Sequence, residues 1–268
     1  MTTYLNKMLF YINSDARDSG THGDFTITLN IPSDKEVNRA VILDAAIKRS
    51  WYLIEAGRNT FILVENGIEV IITIPEGNYS FGSFKITLQN LLNQHSPNNW
   101  IYAVSTPNPS TGASTAKYTY SCNGGDPVFK FTDHLYEQMG FLKGSTNNFI
   151  GGSLISVNPV YFNKDVLHIH SDMVTDHQSN VLQTVSANGS DFSSIKYKCE
   201  DIDANSKVIT KRSNIFRFII MDENYRPVNL SLSIGFTLML YKENDIDDEF
   251  YKMAIEYMKY SLLQGPRK

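Results

Sequence analysis

Two imidazoles and a carboxylate stand two residues apart in His168-Ile169-His170-Ser171-Asp172. On a strand, residues two apart share a face. His168, His170 and Asp172 would then line up, and such a set can ligate zinc. Asp176 and His177 follow closely. The competing reading is a polar strand face at a surface or a subunit contact. It is the favoured one, because imidazole ligands need fixed outer hydrogen-bond partners that spacing alone does not supply. No metal site is expected, and His168, His170 and Asp172 stand as weak candidates.

Other chemistries find less support. Cys122 and Cys199 lie in strand-like segments, not at helix N-termini where a thiolate is stabilised. No GxSxG elbow precedes a helix, so a serine nucleophile lacks its usual mounting. Glycosidase chemistry needs two carboxylates facing each other across a cleft, which a sequence does not display. Gly151-Gly152 lacks the Lys-Ser/Thr of a phosphate loop. Lys48-Arg49 and Lys211-Arg212 read as solvated strand ends or loops. None of these patterns by itself points to a catalytic group or a cofactor.

The elements that position these residues are strands. The chain has 268 residues, 42% apolar and 19% charged, below the roughly 25% charged share of soluble domains. Polarity comes instead from 24 Asn and 25 Ser, and 15 Tyr and 15 Phe add aromatic mass. That composition favours strands and turns and excludes general disorder. The net charge of −4 excludes a broad basic face for nucleic acid. Glu243, Asp245, Asp247, Asp248 and Glu249 put five acids within seven residues, and without them the balance, 24 against 23, is +1. Two cysteines read as buried thiols of a reducing compartment, with one long-range disulfide as the alternative. The N-terminus has no signal-peptide pattern, and no run of 18 apolar residues predicts a membrane span. A soluble protein made inside a cell is expected.

Phe25, Ile27, Leu29 and Ile31 alternate with polar residues, the period of a strand with one buried face. The denser run from Val41 to Ile47 suits a strand covered on both sides. Asn66-Gly67 between two β-branched runs predicts a hairpin, because both turn positions need positive φ. Phe84, Leu88, Leu91 and Leu92 predict a helix over 83–94, capped by Ser80 or Ser83. Asp133 to Met139 reads as a short helix. Leu230, Leu232, Ile234, Phe236, Leu238 and Leu240 keep strict period two, with Ser231, Ser233, Gly235, Thr237 and Met239 on the other face. After Asn244 the spacing turns helical, and Phe250, Met253 and Tyr257 form one apolar stripe. That helix packs on its own domain or docks on a neighbouring subunit. The expected architecture is all-β: a β-sandwich or jelly roll in one domain over 1–245 with long loop insertions and short connecting helices, then a C-terminal amphipathic helix and tail over 246–268. Loops 106–114 and 143–153 are expected to be exposed.

Several segments resemble, in order, the penton (vertex, minor capsid) proteins of virophages and Polinton-like double-stranded DNA viruses. Tyr11–Ser14, Arg17 and Asp24–Leu29 resemble the opening of that family, where an aromatic–Ile–Asn–Ser segment leads through an Arg to Asp-Phe-x-Ile-x-Leu. Trp51–Gly67 is similar to its Trp/Tyr strand and hairpin, and Ile74–Asn93 to its Gly-Asn-Tyr turn and helix. Met139–Phe141, Leu167–Val174, Asn180–Val185 and Phe218–Tyr241 resemble later segments. The resemblance spans about residues 10–241. An Asn-Gly turn before the last strand is not matched, nor is the C-terminal helix.

The resemblance implies a single jelly roll and a structural role. Five copies would form a capsomer at each five-fold vertex of an icosahedral virion. Its neighbours would be a double-jelly-roll major capsid protein and other minor capsid proteins. His168 and His170 would then belong to an ordinary strand, and Phe250, Met253 and Tyr257 become candidate subunit contacts. Two other readings stand beside it: a trimeric jelly-roll spike that binds a receptor or carbohydrate, and a hydrolase on a β scaffold.

Overall fold

The computed structural model describes residues 4–106, 116–160, 164–174, 180–188, 193–243, 253 and 255–259. The chain divides into two compact units. One joins residues 1–50 to 164–268, and the other is the intervening 51–163. The single domain expected over 1–245 is therefore seen as two units, each with its own core.

In chain order the first segment gives β1 (Tyr4–Asn13), a 3-10 turn (Ser14–Ala16), β2 (Ser19–Gly20), β3 (Asp24–Thr28) and β4 (Arg39–Lys48). The insertion gives β5 (Thr60–Glu65), β6 (Ile68–Thr73), α1 (Phe81–His95), β7 (Tyr102–Ser105), β8 (Thr119–Cys122) and β9 (Val128–Lys130). It closes with α2 (Leu135–Gln138), β10 (Asn147–Asn148) and β11 (Ser153–Ile155). The chain then returns through β12 (Val166–Ser171), β13 (Val181–Ser186), β14 (Ser194–Lys198) and α3 (Ile202–Asn205). It ends with β15 (Lys207–Val208), β16 (Ile215–Asp222) and β17 (Ile234–Glu243).

The first unit is a jelly roll. One sheet has the order β1-β17-β4-β14, with β15 also on β4, and the other has β13-β12-β16-β3-β2. Every described pairing within them is antiparallel. Counting its eight longer strands along the chain, the first sheet reads first, eighth, third, sixth. The second reads fifth, fourth, seventh, second. Each sheet thus alternates strands from the two halves of the unit, the wrapping that defines two interleaved Greek keys. The inner faces meet through aromatic contacts. Phe218 of β16 packs edge-on to Phe236 of β17 across the sandwich at 5.2 Å, and beside Phe25 of its own sheet neighbour β3 at 5.7 Å between ring centroids.

β4 carries Ala40, Val41 and Ile42, all buried. Both faces are covered over this first half, as the dense apolar run predicted, but from Asp44 onward one face is open, with Asp44, Ala46 and Lys48 exposed. Val41, Met239 and Tyr241 form a second small core on the opposite face, closed by Leu43, Cys199 and Ile202 of α3. This corrects the expectation that Met239 lies on a polar face. The last strand also begins later than its alternation suggests. Asn13, the last residue of β1, pairs with Gly235, and Ile47, one residue from the end of β4, pairs with Ile234. Leu232 instead donates its N–H to the Ser50 hydroxyl at 3.0 Å and is 48% exposed.

In the second unit, sheets β10-β9-β5-β6 and β11-β8-β7 pack with α1 around an aromatic core. The β5–β6 hairpin turns at Asn66 (φ 48°) and Gly67 (φ 81°), as predicted. Ser80 and Ser83 together cap α1 in a reciprocal box, which satisfies backbone donors that a helix start leaves free. Phe129 lies edge-on to Phe61, Tyr120 and Phe149 at 5.2–5.4 Å, the offset geometry that aromatic quadrupoles prefer.

Candidate functional site

The residues that carry the ordered motifs fall first on the corner between β1 and β3. Ser14 is fully buried. Its hydroxyl accepts the Ile234 N–H at 3.0 Å and lies 3.0 Å from His22 Nδ1. Arg17 donates to the Ser14 carbonyl at 2.6 Å and to the Gly20 carbonyl at 2.9 Å. One guanidinium nitrogen also lies 3.3 Å from His22 Nδ1. Asp15 stands 3.9 Å from the same ring nitrogen. Serine, histidine and aspartate are thus together. However, Ser14 is sealed from solvent, and its hydroxyl is engaged by a strand N–H. The arrangement locks the turn that carries the chain from one sheet to the other; it does not present a nucleophile. Sequence reading noted Ser14 and Arg17 as motif residues, but it missed His22 as their partner eight residues from Ser14.

The strand β12 places His168 and His170 on one face. His168 stacks on Tyr225 at 5.2 Å and its Nδ1 lies 2.9 Å from the Thr184 hydroxyl. His170 is 7% exposed, meets Tyr225 edge-on, and its buried Nε2 has no hydrogen-bond partner among the described residues. Burial, and secondarily the neighbouring His168, hold the His170 pKa below its ordinary value. Asp172 does not join the two rings. One carboxylate oxygen takes Lys211 Nζ and the other accepts the Arg217 N–H at 2.9 Å. Among the described residues no group of three His, Cys, Asp or Glu side chains is placed to hold a metal ion.

A polar hub unforeseen in the sequence sits at the end of β16. Asp222 is 1% exposed and receives Lys164 Nζ and Arg226 Nε, each at 3.1 Å. It also accepts the N–H groups of Asn224 and Arg226 at 2.9 and 3.0 Å. Burial pushes its pKa up, but the two cations and the backbone donors outweigh that and leave it lowered. The turn it holds contains Tyr225, the ring beneath His168, at φ 57°. Lys164 stands 58 residues from Asp222 in the chain, so no local signal could have paired them.

In the 51–163 unit the buried polar group is Glu65. Its carboxylate accepts Ser96 Oγ at 2.8 and 3.0 Å, the Asn98 N–H at 3.0 Å and the Tyr102 hydroxyl at 2.7 Å. Burial, then the hydrogen bond to Glu65, push the Tyr102 pKa far up, so its hydroxyl remains a donor. Glu65 continues the inward series Phe61, Leu63 along β5, where the sequence suggested only a turn residue.

The remaining expected positions are mixed. Phe250 lies outside the described residues. Met253 and residues 255–259 are helical. Met253 is 63% and Tyr257 75% exposed, and Ile255 and Met258 are exposed beside them. Cys122 and Cys199 are free thiols and only half-buried, a correction to the buried state expected. Arg49 is 3% exposed, so the Lys48-Arg49 pair is not simply a solvated end. The loop expected over 106–114 falls almost wholly outside the described residues. Among the described residues no helix is long and apolar enough to cross a membrane.

No family model matches the sequence, and no curated protein matches it. Among solved structures the chain is similar to a crystal structure of the SeMet-labelled mavirus penton protein. The two share 12% identity at a TM-score of 0.44, over 90% of this chain and 100% of that one.

Proposed function

We propose that this chain is a structural capsid protein, the subunit of a homopentamer that fills the five-fold vertices of an icosahedral virion. One observation carries the reading. The ordered motifs that resemble vertex proteins fall on the framework of a complete jelly roll. Tyr11–Leu29 builds the locked corner and β3, Leu167–Val174 contains most of β12, and Phe218–Tyr241 contains most of β16 and β17. Jelly rolls serve both capsids and lectins, and the motif order favours the capsid. On this reading the partners are further copies of the chain, a double-jelly-roll major capsid protein and other minor capsid proteins. No cofactor and no catalytic residue is needed. The protein is made in the host cell and ends at the capsid vertex.

The exposed Met253, Ile255, Tyr257 and Met258 support a contact with a neighbouring subunit, because apolar side chains crowded on one short helix favour burial. Met253 and Tyr257, together with Phe250, are the proposed contact residues.

Native mass spectrometry of the purified protein, with negative-stain imaging of the same sample, tests the proposal. Rings of five subunits are expected. A stable trimer would overturn it and favour a receptor- or carbohydrate-binding spike. A monomer that also fails to co-assemble with the major capsid protein would sink it.

A further inference from the structure

A cavity of about 870 Å³ opens at the end of the jelly roll where β3 and β17 stop and β4 and β16 begin. Its apolar lining is offered by the part-exposed Ile31, Val37 and Ile209, with Phe216 and Leu240 fully buried behind them. Its rim carries Lys35, Lys211, Arg212 and Lys242 against one acid, Glu36. Two of these cations are already answered. Lys242 meets Glu36 at 2.5 Å, and Lys211 meets Asp172. Lys35 and Arg212 have no ion-pair partner among the described residues, and both are exposed. Arg212 feels Glu36 only at longer range, and that acid is already held by Lys242. The rim therefore holds an excess of positive charge above an apolar lining.

Such a surface suits an acidic peptide that also bears apolar side chains, and the sequence contains one. Glu243 follows Lys242 directly and is taken by Arg39 at 2.5 Å. Asp245, Asp247, Asp248 and Glu249 come next, interrupted and followed by Ile246 and Phe250. We propose that this cavity binds an acidic segment, and that the segment it takes is residues 245–249 of the same chain. Three arguments carry this. The charges are complementary, since the chain outside the run is near neutral. Chain order starts the run three residues past a rim lysine, so tethering gives it a high effective concentration. The apolar residues Ile246 and Phe250 match the lining. The helix dipole also favours acids ahead of a helix, but that effect needs no cavity and predicts no proximity to Lys35. The inference does not depend on the vertex reading.

Zero-length carbodiimide coupling of the full chain tests it, with the joined peptides identified by mass spectrometry. The exposed Lys130–Glu69 pair, 2.6 Å apart, is the internal control. We expect Lys35 to be linked to one of the four acids. In a mixture of light and nitrogen-15-labelled protein the link should lie within single chains. Arg212→Glu leaves Lys35 in place and should lower the yield about fivefold, the scale of reversing one exposed charge. If the Lys130–Glu69 link forms and Lys35 shows none to these acids, the proposal is overturned. Links found only between light and heavy chains would overturn it as well.

Discussion

The jelly-roll unit and the 51–163 unit bury charge in opposite ways. In the jelly roll, Asp222 is met by two cations, Lys164 and Arg226. In the other unit, Glu65 is met by neutral donors from Ser96, Asn98 and Tyr102. The scaffolds differ to match. The jelly roll relies on strands of up to ten residues, with β17 paired along both edges. The 51–163 unit has strands of two to six residues and a cluster of rings around Phe129. Where backbone ladders are long, packing can be spread along many pairs. Where they are short, a few aromatic side chains must supply the cohesion.

That contrast can be broken most strongly at Phe129. Phe129→Ala should destabilise the 51–163 unit by about 3–5 kcal/mol, the cost of emptying a buried aromatic site. Hydrogen exchange should then show lost protection in 51–163 and retained protection in β4, β16 and β17. Equal loss in both units would show that they unfold as one.

Asp222→Asn probes the charge-paired hub. It removes the countercharge of the half-buried Lys164 and Arg226, and should cost about 2–3 kcal/mol. Chemical denaturation followed by exchange at β12 and β16 measures it. An effect below about 0.5 kcal/mol, as for an exposed pair, would mean the hub contributes no more than a surface contact.

The smallest effect is set by pH. The folded state holds His170 below its ordinary value of 6.5, so the unfolded chain binds the proton more readily. Its contribution to stability is full above pH 6.5 and falls as pH drops through that value. Asp222, lowered from 3.8, adds stability that is lost only in much stronger acid. From pH 7.5 to 5.5, the protection of β12 and β13 amides relative to their intrinsic exchange rates should therefore fall, and His170→Gln should remove most of that dependence. An unchanged slope in the variant would assign the pH response elsewhere.

What could be read from the sequence was what local chemistry decides. The Asn66-Gly67 hairpin and the serine-capped α1 need only their own residues, and both form as expected. The jelly roll was legible through alternation and ordered motifs. Its limits were not, because a strand ends where its neighbours end. Leu230 and Leu232 continue the alternating pattern of β17, but no partner strand lies beside them among the described residues. The division at 50 and 164 left no trace in the sequence pattern, since alternating strands with turns between them run on both sides of each boundary. The sites were less legible. His168 and His170 do share a face, as period two requires. However, Tyr225 and Thr184 decide what they do, and both arrive through long-range pairing. Asp172 was drawn away from the two rings by Lys211, a residue read only as half of a solvated pair.

The insertion point has a consequence for how such a protein can change over time. The chain leaves the jelly roll after β4 and re-enters it before β12, and every described strand pair of that unit lies among residues outside 51–163. A lineage could lengthen, shrink or replace the inserted unit by recombination without altering one ladder of the sandwich. Sequence drift should therefore be tolerated more readily within 51–163 than at Ser14, Arg17 or Asp222, where one substitution reaches two strands at once.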